Sequence, residues 1–358
     1  MVLARGGCVN YLDLFSGCGG FRLGLQKAGI VPENEFHSEI DKYADQIYTK
    51  HYPQSENLGD VTKITTDGTI QGHKIDLITF GFPCQDLSVA GKGTGLEGAR
   101  SGLFYEATRL IRELKPDIFI FENVKGLLTS KSGEDFKAVL QEIADIGLYD
   151  CQWQLVNTRW LLPQNRERVF FVGIATGSKR SGQQIFPFTE DGGWVDERKE
   201  QLPREVKPSQ TGNCLTARMH KMACTDNYVL EQITNQARQG ERVYNGNGIS
   251  SCISSNGSHN GKTGLYAIPV LTPERAKKRQ NGRRFKEDGD PAFTLTAQDK
   301  HGVYDGHYIR RLTPTECARL QGFTDNWHDG VSDTQAYKMY GNAVTADIAD
   351  MIFNRIYI

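Results

Sequence analysis

Asp13-Leu14-Phe15-Ser16-Gly17-Cys18-Gly19-Gly20-Phe21-Arg22-Leu23-Gly24 ends the first apolar run of this 358-residue chain in a glycine-rich turn that opens a helix. Glycines let the backbone pass close to a ligand, and the start of the helix offers free amide donors at its positive end. A strict G-x-G-x-x-G fingerprint needs glycine at position 22, where Arg22 stands. A dinucleotide pyrophosphate is therefore poorly supported, and a nicotinamide-dependent oxidoreductase is disfavoured. Glu39 follows Gly17 by 22 residues. That is close to the usual distance for an acid that accepts hydrogen bonds from ribose hydroxyls, which points to a nucleoside. Asp60, in Gly59-Asp60-Val61, is placed to accept from an adenine amine, although taken alone it reads as an exposed loop acid.

Outward from this turn, apolar runs of strand length recur at 9–15, 76–80, 117–121 and 169–174, and amphipathic stretches lie between them at 104–114 and 136–146. The alternation predicts a Rossmann-like, doubly wound, mostly parallel sheet covered by helices. After about residue 185 the pattern gives way to Gly, Asn, Ser and Thr with short β-like pieces. The expected division is a catalytic and cofactor-binding domain over 1–185, a smaller β-rich domain over 186–308, and a C-terminal segment over 309–358 that packs back on the first. The middle part contains a weak repeat at 213–217, 251–255 and 293–297, each copy leading to an aromatic strand at Tyr228, Tyr266 or Tyr304, as in a stack of hairpins. Thr313-Pro314-Thr315-Glu316 is a capping box that opens a helix, and a last helix is expected over 343–352.

Composition sets the surroundings. The 42 basic and 43 acidic side chains leave a net charge of −1, so any nucleic-acid surface must be local. Seven cations between Arg275 and Lys286 form one such cluster, readable as a phosphate contact or as a solvated loop. The eight cysteines contain no C-x-x-C pair, which argues against a zinc ribbon or a disulfide scaffold and favours reduced thiols without a metal. No run reaches the roughly 18 apolar residues of a membrane span, and the N-terminus is too short for a signal peptide, so a soluble cytoplasmic protein is expected.

Gly81-Phe82-Pro83-Cys84-Gln85 follows the run at 76–80. Cys84 thus stands at the carboxyl edge of the expected sheet, where ligands bind, and is a candidate nucleophile or else a buried small hydrophobe. Together with Phe15-Ser16-Gly17-Cys18-Gly19-Gly20, Phe121-Glu122-Asn123-Val124, Gln164-Asn165-Arg166-Glu167-Arg168 and Gly341-Asn342-Ala343-Val344, this set resembles, in order and spacing, the motifs of the DNA cytosine-5 methyltransferases. The resemblance spans almost the whole chain. It implies S-adenosylmethionine as methyl donor, held by Phe15, Ser16, Gly17, Gly19, Gly20, Glu39, Ile40, Asp60, Pro83, Asn342 and Ala343, with Phe15 stacked on the adenine and Asn342 closing over the methionine part. It also implies duplex DNA as substrate and a monomeric enzyme, either of a restriction-modification system, with a cognate endonuclease that acts on the same site without direct binding, or of the phage or orphan kind, which would look the same. Residues 186–308 fall where this family carries its target-recognition domain.

Carbon 5 of cytosine is too poor a nucleophile to take a methyl group unaided, so a thiolate must first add to carbon 6, and Cys84 is placed to supply it. Glu122, at the end of the neighbouring run, is placed to protonate or hydrogen-bond ring nitrogen 3 and to hold the exocyclic amine, for which a raised pKa is expected. Pairing with a nearby Arg or Lys is the other reading of it. By resemblance Arg168 reaches the cytosine O2, and Asn123 orients the Pro83-Cys84 backbone. Arg166 either supports the catalytic loop or a phosphate, or belongs to a solvated edge. The base must be rotated out of the duplex, and Ser88 and Gln239 match the family's placement of the residues that fill the gap. Arg242 is a candidate for guanine readout, and ordinary surface polarity is the alternative for Gln239 and Arg242. The Gly91-Lys92-Gly93-Thr94-Gly95 run suggests a loop that folds over DNA. An RNA methyltransferase with the same motifs and a non-catalytic DNA-binding relative are the rival classes. Cys18 has no assigned role.

Overall fold

The structure is a computed structural model, and it describes residues 9–82, 102–189, 268–271, 285–286, 290–297, 299–304 and 309–357. Pro83, Cys84, Ser88, Gln239, Arg242, the glycine run at 91–95, most of the basic cluster and the first two copies of the hairpin repeat lie outside the described residues. In chain order the elements are β1 (Asn10–Leu14), α1 (Gly20–Lys27), β2 (Asn34–Ser38), α2 (Lys42–His51), β3 (Glu56–Asn57) and β4 (Leu77–Phe80). Next come α3 (Gly102–Leu114), β5 (Ile118–Val124), α4 (Glu134–Ile146), β6 (Tyr149–Asn157) and β7 (Glu167–Ala175). The remainder is β8 (Ile268–Leu271), β9 (His301–Tyr304), β10 (Ile309–Arg311), α5 (Pro314–Leu320), α6 (Asp333–Asn342) and α7 (Ala346–Tyr357).

The first seven strands make one sheet in the order β3-β2-β1-β4-β5-β7-β6. The chain winds outward from β1 to β3, then returns to place β4 on the other side of β1, and this reversal opens a crevice at the carboxyl ends of both strands. The β1 to β5 pairings are parallel, as the alternating pattern predicts, whereas β7 runs antiparallel to both β5 and β6. The connection at 158–166 is too short for the helical crossover that a parallel return needs. A second, three-stranded antiparallel sheet is ordered β10-β9-β8.

Helices cover both faces. On one, Phe104, Leu110 and Ile111 of α3 and Val139 and Ile143 of α4 pack on Leu12, Phe80, Phe121 and Phe171. On the other, Phe21 and Leu25 of α1 and Ile348, Ile352 and Phe353 of α7 pack on Tyr11, Ile118, Ile120 and Phe170. Helices α2, α5 and α6 close a third cluster around Tyr48, Trp327 and Tyr340. The capping box forms as expected: Glu316 N donates to Thr313 Oγ1 (3.2 Å), and Thr313 N donates to Glu316 Oε2 (2.7 Å). The last helix starts at Ala346 rather than at the expected 343, because Ala343 is extended (φ −66°, ψ 148°) and gives its carbonyl to Arg166. Among the described residues no helix is long and apolar enough to cross a membrane.

Candidate active site

Register brings the motifs together. Leu14 pairs with Phe80, and Phe80 with Phe121, so the Phe15 turn, Gly81-Phe82 and Glu122 leave the sheet side by side. The turn is tight: Phe15, Gly17 and Gly19 have φ of 51°, 56° and 90°. The left-handed region costs glycine little, but for Phe15 it is strained backbone, held here at the ligand edge. A Cβ on Gly17 would meet nothing within 4 Å among the described residues, so the turn is open to them on that side. On Gly20, by contrast, it would lie 2.4 Å from Val344 O, so the start of α1 touches the backbone of the 341–344 turn. The Ser16 hydroxyl is buried and has no hydrogen-bond partner among the described residues.

Cys18 points away from this opening. Its thiol is buried and burial pushes its pKa up to about 12, while its carbonyl accepts from Trp327 Nε1 (3.0 Å). It is a packing residue that ties the glycine turn to the C-terminal segment.

At the end of β2, Glu39 Oε1 accepts from Ile40 N (2.8 Å) and Asp41 N (2.7 Å), and Oε2 accepts from Gly17 N (2.9 Å). Burial raises its pKa, and these three N–H groups oppose the rise by favouring the anion. A carboxylate offers about four acceptor positions, so Oε2 still has one to give. Ile40 is 79% exposed, an apolar side chain left at the mouth of the crevice. Ser38 Oγ donates to Gly59 O (2.6 Å) and draws the Asp60 loop to the same edge. Asp60 itself accepts from Thr62 N (3.0 Å) and Thr62 Oγ1 (2.9 Å), which hold its carboxyl below the usual range.

Glu122 and Arg168 sit on one face of neighbouring strands, since Glu122 pairs with Phe170 and Val124 with Arg168. Arg168 Nε lies 2.8 Å from Glu122 Oε1, and both side chains are largely buried. The N–H does not aim at that oxygen, so this is an ion contact in which Oε1 accepts no hydrogen bond among the described residues. A Cβ on Gly81 would stand 3.5 Å from Glu122 Oε2, so that glycine keeps the carboxylate open towards the Gly81-Phe82 edge. On the opposite face, Asn123 Nδ2 donates to Phe82 O (3.5 Å), the carbonyl just before Pro83. Glu122 thus pairs with an arginine through one oxygen and turns the other towards the Gly81 edge.

Arg166 is neither solvated nor turned towards a phosphate. It is 2% exposed, and its guanidinium donates to the carbonyls of Leu295, Gly341 and Ala343. Asn342, beside them, is exposed. Ser38, Trp327 and Gln164 were not singled out by sequence reasoning. Gln164 opens the Gln164-Asn165-Arg166 motif, a signal that was available, whereas nothing local marks Ser38 or Trp327.

Comparison with known proteins agrees with this geometry. Residues 9–357 match the family described as C-5 cytosine-specific DNA methylase. The orphan methyltransferase M.SPRI of Bacillus phage SPR is 32% identical, covering 98% of each chain. The type II methyltransferase M1.ScrFI of Lactococcus lactis subsp. cremoris is 33% identical over 93% of this chain and 74% of its own length. Among solved structures, a prophage-encoded protein of E. coli superposes with a TM-score of 0.58 at 22% identity and 98% coverage of each chain, a likeness of fold. A family match across nearly the whole chain, on a sheet whose motifs converge at one edge, means that this chain belongs to the C-5 cytosine-specific DNA methylase family and is a methyltransferase of that kind.

Proposed function

We propose that this enzyme moves a methyl group from S-adenosylmethionine to carbon 5 of a cytosine turned out of duplex DNA, through a covalent Cys84 adduct at carbon 6. The observation that carries this reading is the buried Glu122 and Arg168 pair beside the Gly81-Phe82 edge that leads into Pro83-Cys84. The cofactor crevice fits the donor. Among the described residues Ser16 Oγ lacks a partner, the Gly17 turn is open, Glu39 Oε2 has an acceptor position left for a ribose hydroxyl, and Ile40 offers an apolar surface for a base. Phe15 and Ile40 would flank the adenine, with Asp60 near its amine, and Gly19, Gly20, Pro83, Asn342 and Ala343 would line the methionine side. S-adenosylmethionine, when bound, supplies an electrophilic methyl group on sulfur.

Cys84 acts as a thiolate, forms the bond to carbon 6 and moves electron density to carbon 5. Glu122 holds ring nitrogen 3 and the exocyclic amine, and Arg168 stabilises charge that develops at O2. Arg168 braces the Oε1 side of the carboxyl group, and Oε2, on the Gly81 side, is the oxygen that would meet the incoming ring. Asn123 fixes the Phe82 carbonyl and so the start of the nucleophile segment. Once carbon 5 carries the methyl group, with S-adenosylhomocysteine as the other product, its proton passes to water, and the electron pair of that C–H bond restores the carbon 5–carbon 6 double bond as the carbon–sulfur bond breaks and the thiolate leaves.

The division of the chain at 185 and 308, with target recognition between, remains part of this proposal, as do Ser88, Gln239 and Arg242 as DNA contacts and a monomeric state. The type II relatives support a modification enzyme paired with an endonuclease; the phage relatives are orphans. A duplex carrying 5-fluorocytosine tests the chemistry, because elimination needs a removable hydrogen on carbon 5. The wild-type protein should form an adduct that survives denaturation, and Cys84→Ala should form none and transfer no methyl group. Full methyl transfer by Cys84→Ala, or no adduct with wild type that is active on ordinary duplex, overturns the mechanism.

A further inference from the structure

Gln164 and Arg166 alternate with Arg168 along an extended segment, so the three side chains leave it in a common direction. Arg168 meets Glu122, while the other two are buried and turn to backbone far away in the chain. Gln164 Nε2 donates to Leu320 O (2.7 Å), and its Oε1 accepts from Leu295 N (3.1 Å). Arg166 Nη1 donates to Leu295 O (3.0 Å) and Gly341 O (3.3 Å), and Nη2 donates to Ala343 O (2.7 Å). The turn after α6 is gripped again from behind. Gln321 Nε2 donates to Tyr340 O (2.9 Å), and Thr345 Oγ1 donates to Gln321 Oε1 (2.8 Å). From 341 to 345, only Asn342 is exposed.

We propose that Gln164 and Arg166 are positioning residues that lock the Gly341–Ala343 turn so that Asn342 is presented to the methyl donor in register with the Arg168 and Glu122 pocket. One strand segment then sets both halves of the reaction centre, the donor side through 164 and 166 and the base side through 168. The choice of arginine follows from geometry. Three carbonyls from two separate segments need a planar fork with several fixed N–H directions, which the single ammonium of lysine does not provide. Space is short as well: a Cβ on Gly341 would come within 2.3 Å of Ala297 N, so the turn cannot slide against the 295–297 segment.

This inference rests on the proposed use of S-adenosylmethionine, and its test keeps the two apart. Full-length wild type, Arg166→Lys and Gln164→Met are compared by calorimetric binding of S-adenosylmethionine, by KM and kcat with duplex DNA, by DNA affinity, and by amide hydrogen exchange over 340–346. Arg166→Lys should weaken donor binding and raise the donor KM about tenfold or more, with DNA affinity within about twofold of wild type and faster exchange in the turn. Gln164→Met should shift the same quantities in the same direction by a smaller factor, and it serves if Arg166→Lys does not fold. Unchanged donor binding in a folded variant, with losses only in active fraction or thermal stability, overturns the positioning role. Absence of donor binding by wild type would instead defeat the choice of donor.

Discussion

Replacing Gly20 with alanine should damage the donor site through a contact that can be measured in advance. The new Cβ would stand 2.4 Å from Val344 O and 3.1 Å from Val344 C, whereas ordinary contact begins at 3.4 Å. The obstacle is backbone, so no side-chain rotation relieves it, and Val344 must retreat by about 1 Å to restore normal van der Waals separation. Retreat is resisted because Arg166 holds Ala343 O and Gln321 O accepts from Ala346 N, on either side of Val344. Overpacking against a fixed neighbour costs about 1–3 kcal/mol. Gly102→Ala is the matched control, since Gly102 is also the first residue of its helix and has nothing among the described residues within 4 Å of its Cβ position. Both changes gain the same helix propensity, at most about 1 kcal/mol, so their difference isolates the crowding. Urea unfolding should place Gly20→Ala about 1–3 kcal/mol below Gly102→Ala. Calorimetry with S-adenosylmethionine should show binding weakened about tenfold, the equivalent of about 1.4 kcal/mol passed on to the 341–344 turn. Equal stability and equal donor affinity in the two variants would refute the reasoning.

Two further expectations concern the sheet itself. Asp13 is buried on β1, accepts from Thr79 Oγ1 (2.7 Å), and is pushed up to about 8 by burial against the opposing hydrogen bonds from Thr79 and Tyr11. Its folded pKa is raised, so its stabilising contribution is complete below the unfolded value near 4 and is lost as pH rises through about 8, at up to roughly 1.4 kcal/mol per pH unit. Urea midpoints from pH 5 to pH 8.5 should therefore fall more steeply for wild type than for Asp13→Asn, and parallel profiles would remove Asp13 from the account. Gly173 lies opposite Phe119 across β7 and β5, and a Cβ there would be 2.2 Å from the Phe119 ring. Gly173→Ala should lose about 2–3 kcal/mol in the same unfolding assay, a cost that a wild-type midpoint would contradict.

What could be read along the chain was whatever is settled within a few residues. Apolar spacing located β1, β4, β5 and β7 and most of α3 and α4, and the Thr313 capping box and the glycine turn after Leu14 marked their own conformations. Family resemblance, not strand topology, set Glu122 and Arg168 at one base: Arg168 opens β7, and only the antiparallel course of that strand brings its start to the carboxyl end of β5. The direction of β7 was not legible, since it depends on which strand it meets and not on its composition. Nor was the fate of Arg166, whose carbonyl partners lie 129, 175 and 177 residues further along the chain. Burial of Asp13, the Gly17 amide that binds Glu39 and the late start of α7 belong to the same class. Propensity and periodicity act over a turn or a strand, whereas a buried polar group takes its partner from whatever segment the closed chain brings against it, and only tertiary structure decides which segment that is.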